Sequence, residues 1–191
     1  MKKNYKYGII LPLKETFLTN NAGAVSIFVN QYLLKSKLKK KTIVYTKDIK
    51  GSYLQSNVRP IKLKVNLFTN YNYIKNISKD KFFENLSYIE IHNRPYYAEY
   101  LLKKFPDKKI ILFLHNEFLS KNNHSNNSKK IFLLKNCSSI IFVSKYLKDN
   151  FFQNLEIKDR NNAHIIYNTI SKAKKFNFKK KKNIIFAGKL N

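Results

Sequence analysis

Ile110-Ile111-Leu112-Phe113-Leu114 runs directly into His115-Asn116-Glu117, and the reading of this stretch decides the fold. A short apolar run without strict alternation, rich in Ile and Phe, suits a strand covered on both faces. The pattern recurs along the chain. Ile89-Glu90-Ile91 runs into His92-Asn93-Arg94-Pro95, and Ile140 to Val143 into Ser144-Lys145. Ile165-Ile166-Tyr167 runs into Asn168-Thr169, and Ile184 to Ala187 into Gly188-Lys189. Open parallel sheets bind ligands beyond the carboxyl ends of their strands. The polar residues at these ends are therefore the first candidates for a site.

Working outward, Tyr7 to Leu11 reads as the first strand, closed by Pro12. Gly23-Ala24-Val25-Ser26 opens a helix in which Val25, Phe28, Val29 and Tyr32 share one face. Thr42 to Tyr45 is a second strand. Ile61, Leu63 and Val65 alternate with lysines, as an edge strand does. Tyr71 to Leu86 reads as a helix. Pro95 suits a first helical turn, where its missing N–H costs nothing, and Pro106 ends that helix. Lys121 to Ser128 reads as a polar loop, followed by a short helix near Lys130 to Asn136. Ser144 is placed to N-cap the helix after its strand. Strands alternating with helices imply an α/β, Rossmann-like, doubly wound fold: a mainly parallel sheet with helices on both faces.

The 191-residue chain carries a formal charge of +27 with pI near 10.0. Such a charge attracts nucleic acid, anionic lipid or phosphorylated substrates. However, Lys, Asn, Ile, Tyr and Phe are abundant while Arg is scarce, as A/T-rich codons would give, and Arg is what phosphate recognition favours. Cys137 is the single cysteine and reads as a small buried apolar residue. No apolar run approaches the roughly 20 residues of a membrane span. Met1-Lys2-Lys3 and the short apolar stretch after it lack the cleavage site of a leader. A cytoplasmic location is expected.

Glycine occurs only at positions 8, 23, 51 and 188, so neither a dinucleotide fingerprint nor a P-loop is present. There is no carboxylate pair for a metal-held nucleotide, no zinc spacing and no nucleophile elbow. What remains is positional. Gly23 lets the backbone pass close to a ligand, and the N–H groups of a helix start favour an anion. The two His-Asn pairs at neighbouring strand ends single out His115, which can move a proton or bond a sugar hydroxyl. Asn93, Arg94, Asn116 and Glu117 can orient hydroxyls or a phosphate. The competing explanation for all of these is helix capping and loop satisfaction. His164 reads as structural and His124 as solvated.

The ordered series Gly23-Ala24, His92-Asn93-Arg94-Pro95, Leu114-His115-Asn116, Val143-Ser144, Tyr167-Asn168 and Phe186-Ala187-Gly188-Lys189-Leu190 resembles the N-terminal half of a family 4 glycosyltransferase. The resemblance implies a GT-B fold, two Rossmann-like domains facing a cleft. It also implies sugar transfer from a nucleotide-sugar donor with retention of configuration and without a metal or other cofactor. By the same resemblance, His115 is the catalytic-site residue near the transferred sugar. Gly23, Ala24 and Lys189 lie near the donor phosphates, Lys189 standing where the family usually has Arg. Asn93, Arg94, Asn116, Glu117 and Ser144 are the acceptor-side, sugar-binding candidates. The family's paired-glutamate motif does not occur in this sequence.

The expected organisation is a Rossmann-like acceptor-side domain over 1–171, a lysine-rich linker over 172–182, and the first strand of a donor-side domain over 183–191. The chain would then end one strand into that domain and be inactive alone. The leading expectation is a retaining hexosyltransferase-type enzyme of cell-surface polysaccharide or lipopolysaccharide synthesis. Its partners would be a nucleotide sugar and a glycan or lipid-linked acceptor, with contact at the inner face of an anionic membrane and no nucleic acid. Two alternatives stand beside it. One is a non-catalytic basic module docking on nucleic acid or anionic membrane, and the other is a different GT-B enzyme such as a sugar-nucleotide epimerase.

Overall fold

A computed structural model describes residues 5–63, 69–118, 123–156 and 161–168. The segments 172–182 and 183–191, with Lys189, lie outside the described residues, as does Val65. Within them the chain alternates as expected. The strands are β1 (Tyr7–Ile10), β2 (Thr42–Lys47), β3 (Val58–Ile61), β4 (Tyr88–His92), β5 (Lys109–Leu114), β6 (Ser139–Phe142) and β7 (Ala163–Ile165). The helices are α1 (Ala24–Lys35), α2 (Thr69–Ile77), α3 (Pro95–Lys104), α4 (Asn123–Asn136) and α5 (Lys145–Phe152). The strands form one sheet in the order β3-β2-β1-β4-β5-β6-β7, and every pairing is parallel. The Rossmann-like α/β class read from the sequence is the fold observed.

Strand alternation splits the core in two. Ile9, Leu11 and Val44 face α1, whose Val25, Val29 and Leu33 are buried against them together with Phe17. Each such side chain contributes about 1.5–3 kcal/mol on burial. Ile10, Ile43, Ile89, Ile91, Ile110, Leu112, Leu114, Ile140 and Phe142 face the other way, where α2, α3, α4 and α5 pack in one larger cluster. Helices therefore cover both faces, and among the described residues α1 is the helix packed on one of them.

Four local expectations change. The described edge strand lies at Val58–Ile61, so of the alternating residues Ile61 closes it and Leu63 lies beyond it. It admits Pro60 because its outer side needs no N–H. Helix α2 stops at Ile77, and turns follow. Asp80 holds those turns: its carboxylate accepts the Phe82 N–H at 3.1 Å and pairs with Arg59 at 2.6 Å, local bonding that competes with a helix. The expected loop at 121–128 is helical from Asn123, His124 included, although Asn and Ser carry no apolar period there. The last strand begins at Ala163, one residue before His164, and its ladder continues through the Ile166 N–H to the Phe142 carbonyl.

Candidate functional site

The strand order reverses between β1 and β4. From β1 the sheet grows towards β2 and β3 on one side and towards β4 to β7 on the other. Helix α1, after β1, and helix α3, after β4, lie on opposite faces. A crevice outside the carboxyl ends forms where connections diverge in this way. The chain segments leaving β1, β4, β5 and β6 all meet this edge, and they carry Gly23, Asn93, His115 and Ser144.

Gly23 is the N-cap of α1, with Ala24 its exposed first residue. The helix start already holds an anion. The Glu15 carboxylate accepts from both the Ser26 N–H and the Ser26 hydroxyl at 3.4 Å, long bonds that satisfy part of the helix terminus. A Cβ at Gly23 would meet that carboxylate, the movable end of the Glu15 side chain, and push it aside. Glu15 escaped the sequence reading because it lies in the loop before the helix, eleven residues from Ser26.

Under the same helix lies a buried polar array. His92 is fully buried at the end of β4, and its Nδ1 is 2.9 Å from His115 Nε2. Glu90, two residues earlier on the same face, accepts the Tyr32 hydroxyl of α1 at 2.6 Å and lies 3.7 Å from His92 Nε2. Phe28 of α1 meets the His115 ring edge-on at 5.1 Å, and Phe113 stacks on His92 at 4.8 Å. Burial, and secondarily His92, pushes the His115 pKa down to about 3, so its ring is neutral at pH 7. Burial first, then the Glu90 charge, raises Tyr32 well above the ordinary phenol value and keeps it a donor. The available signal was Glu90, a charge inside the run Ile89-Glu90-Ile91.

Asn93 ties the two neighbouring strand ends together. It adopts φ 53°, a left-handed conformation that Asn tolerates better than most residues. Its side-chain oxygen accepts the His115 N–H at 2.7 Å and the Asn116 N–H at 3.2 Å, while its own N–H donates to the Phe113 carbonyl at 2.8 Å. Arg94 follows as the N-cap of α3, its guanidinium donating to the Asn93 carbonyl at 2.7 Å, and Pro95 takes the first turn as expected.

On the opposite face from the histidines, an open cavity of about 370 Å³ lies between α3, α4 and the loop after β5. Asn93, Arg94, Asn116 and Glu117 line it, joined by Tyr96 and Lys129, which the sequence reading did not single out. Tyr96 is 46% exposed and offers an aromatic face. The Glu117 carboxylate accepts the Tyr146 hydroxyl at 2.6 Å. A guanidinium, an amide, a carboxylate and an aromatic ring around an open cavity can hydrogen-bond and stack a polyol. Neither His115 nor Ser144 lines it. Alternation explains the first, because Leu114 and Asn116 point away from His115. Ser144 caps α5, its hydroxyl accepting the Leu147 N–H at 3.2 Å.

Exposed lysines lie at both ends of the strands, Lys6 and Lys109 at the amino end, Lys47 and Lys145 at the carboxyl end, rather than on one described face. Among the described residues no helix is long and apolar enough to cross a membrane. Cys137 is buried, with its thiol pushed up to about 12 by burial.

No protein-family model and no curated protein sequence matches the chain. Among solved structures it resembles Anabaena HepE, crystallised in complex with UDP and glucose. The TM-score is 0.57 at 10% identity, over 87% of this chain and 45% of HepE. The chain thus spans about half the length of that protein and shares the fold of that half. A short-chain dehydrogenase family protein from Francisella tularensis superposes at TM-score 0.38 with 14% identity, over 72% of this chain and 70% of that one.

Proposed function

We propose that this chain is the N-terminal, acceptor-side half of a GT-B glycosyltransferase of the retaining, hexosyltransferase type. In this reading it moves a sugar from a nucleotide-sugar donor to a glycan or lipid-linked acceptor of a cell-surface polysaccharide. The observation that carries the proposal is the superposition on half of HepE, a protein seen with UDP and glucose bound. A nucleotide and a free sugar are together what cleavage of a nucleotide sugar by water would leave. The cavity lined by Arg94, Tyr96, Asn116 and Glu117 receives the acceptor sugar. His115 lies near the transferred sugar, and Gly23 and Ala24 near the donor phosphates. No metal enters the scheme. Among the described residues exposed lysines lie at both strand ends, which speaks against the basic docking module, since that needs one continuous cationic face.

The test is made on the isotope-labelled chain by amide NMR. An alkyl glucoside and a disaccharide are expected to shift Arg94, Tyr96, Asn116 and Glu117 specifically. Vesicles of phosphatidylglycerol and a single-stranded oligonucleotide are expected to give only diffuse, salt-sensitive changes on lysines. Specific shifts with the oligonucleotide or vesicles, and none with the sugars, would transfer the assignment to the docking module.

A further inference from the structure

The two histidines under α1 raise a question of proton placement. His115 is neutral at pH 7 and so carries one ring proton. Its Nε2 and His92 Nδ1 share a 2.9 Å hydrogen bond, so one of the two nitrogens bears the proton of that bond and the other accepts it. For a neutral His92 the remaining nitrogen of each ring takes the opposite role, whereas a doubly protonated His92 would donate from Nδ1 and leave the His115 proton on Nδ1. His92 Nε2 is buried without a hydrogen-bond partner among the described residues, and the nearest charge is the Glu90 carboxylate at 3.7 Å. Phe28 and Phe113 pack against the His92 ring, which is wholly buried. In such a medium electrostatic terms are strong. A lone pair at His92 Nε2 would face the carboxylate and be repelled, whereas an N–H there is attracted. Tyr32 donates to Glu90 at 2.6 Å, and Glu90, second to burial, is among the causes that raise the Tyr32 hydroxyl.

We infer that the Glu90 carboxylate, acting through His92, fixes His115 as the tautomer with its proton on Nε2 and a lone pair on Nδ1. This corner of the site therefore receives a neutral ligand hydroxyl, which donates to His115, rather than a phosphate or carboxylate oxygen. The proton order is Nε2–H on His92, Nδ1 accepting, and Nε2–H of His115 donating into it. His115 Nδ1 has no partner among the described residues and is the nitrogen left for a ligand. A fully ionised oxyanion, such as sulfate or a phosphodiester, has no proton to offer this lone pair, and the neutral ring has no charge to offer the oxyanion. Glu90 and His92 are positioning residues. The inference deepens the sugar-transfer reading and rests on it only for the owner of the hydroxyl.

Long-range proton–nitrogen NMR on the histidine-labelled chain at pH 7 reads each ring directly, without any transfer reaction. The expected spectrum shows a protonated Nε2 and an unprotonated Nδ1 on both His92 and His115. Glu90→Gln retains the Tyr32 partner and removes the charge. It is expected to give His115 a second population protonated on Nδ1, whereas Glu90→Asp keeps the single tautomer. A wild-type His115 protonated on Nδ1, or a His92 protonated on both nitrogens, would overturn the inference, and the wild-type spectrum decides this even if a variant fails to fold. So would an unchanged tautomer in folded Glu90→Gln. Titration separates the ligand class: glucose is expected to move the His115 ring signals, and sodium sulfate, which carries no proton at pH 7, to leave them in place at equal concentration. A response to sulfate alone overturns the hydroxyl assignment. A correct tautomer with no response to glucose counts against the sugar-transfer reading while the proton order stands.

Discussion

Asn93 offers the sharpest separation between holding the site together and binding a ligand. Its side-chain oxygen holds two backbone N–H groups of the next strand end, at 2.7 and 3.2 Å. Asn93→Ala removes both bonds. The His115 N–H is part-buried, and stranding it costs about 1–2 kcal/mol. The Asn116 N–H is exposed and returns to water, for about 0.5 kcal/mol. Alanine at φ 53° adds about 1 kcal/mol of left-handed strain. The expected loss is about 2.5–3.5 kcal/mol, a large fraction of a typical domain's stability. Asn93→Gly loses the same bonds without the strain and is expected to be about 1 kcal/mol less damaging. Asn93→Asp keeps the acceptor and is expected within about 1 kcal/mol of wild type. Urea unfolding with matched m-values measures all three. Should Asn93→Ala unfold within 0.5 kcal/mol (about the scatter of a neutral surface change) of wild type yet lose glucoside binding, Asn93 is a ligand residue and the tie between strand ends is incidental.

Other expectations follow from the same geometry. Gly23→Ala drives the Glu15 carboxylate off the α1 terminus and is expected to cost about 1 kcal/mol; in a Glu15→Ala background most of that cost vanishes, and additive losses in the double-mutant cycle would mean the two do not touch. The pH dependence follows from His115, held near 3 against an ordinary 6.5, so the unfolded chain binds a proton that the folded one refuses. Its contribution is therefore complete above 6.5 and is lost as pH falls towards 3, with a slope of at most about 1.4 kcal/mol per pH unit. Stability curves of wild type and His115→Gln should converge over that window, and parallel curves would place the lost protons elsewhere. Cys137, buried and poorly ionised, is expected to react with a thiol reagent only at the global unfolding rate; fast labelling of the native chain would show local opening beside α4.

The sheet was legible because its signal is chemical and dense. Runs such as Ile110 to Leu114 have few other uses than a strand buried on both faces, and the turn to His115-Asn116-Glu117 marks the edge where connections leave. Elements with a mixed signal were misplaced. The edge strand Val58–Ile61 contains Pro60, which reads as a breaker, so the apolar alternation drew the expected strand too late. The first turns of α4 are Asn, His and Ser and show no period, so nothing in them announces a helix. The turns after α2 are held in part by the Asp80 side chain, a bond that periodicity cannot express.

The site was legible as an edge and illegible as two faces. Each candidate follows a strand, so each was placed at the same rim, yet one residue decides the side on which a group works. His115 turns towards α1, Phe28 and His92, whereas Asn116, one position on, opens into the cavity beside Tyr96 and Arg94. The sequence contained the key in Glu90. A carboxylate between Ile89 and Ile91 cannot sit in the large apolar cluster that takes both isoleucines, so it must face the other way, with His92 two residues on beside it. Strand register then sets His92 opposite Phe113, and the alternation along β5 carries His115 to the same face. The histidine dyad thus follows from one misplaced charge and the period of two. The tautomer follows only from distances, because 3.7 Å to a carboxylate and 2.9 Å to a second imidazole are what order the protons.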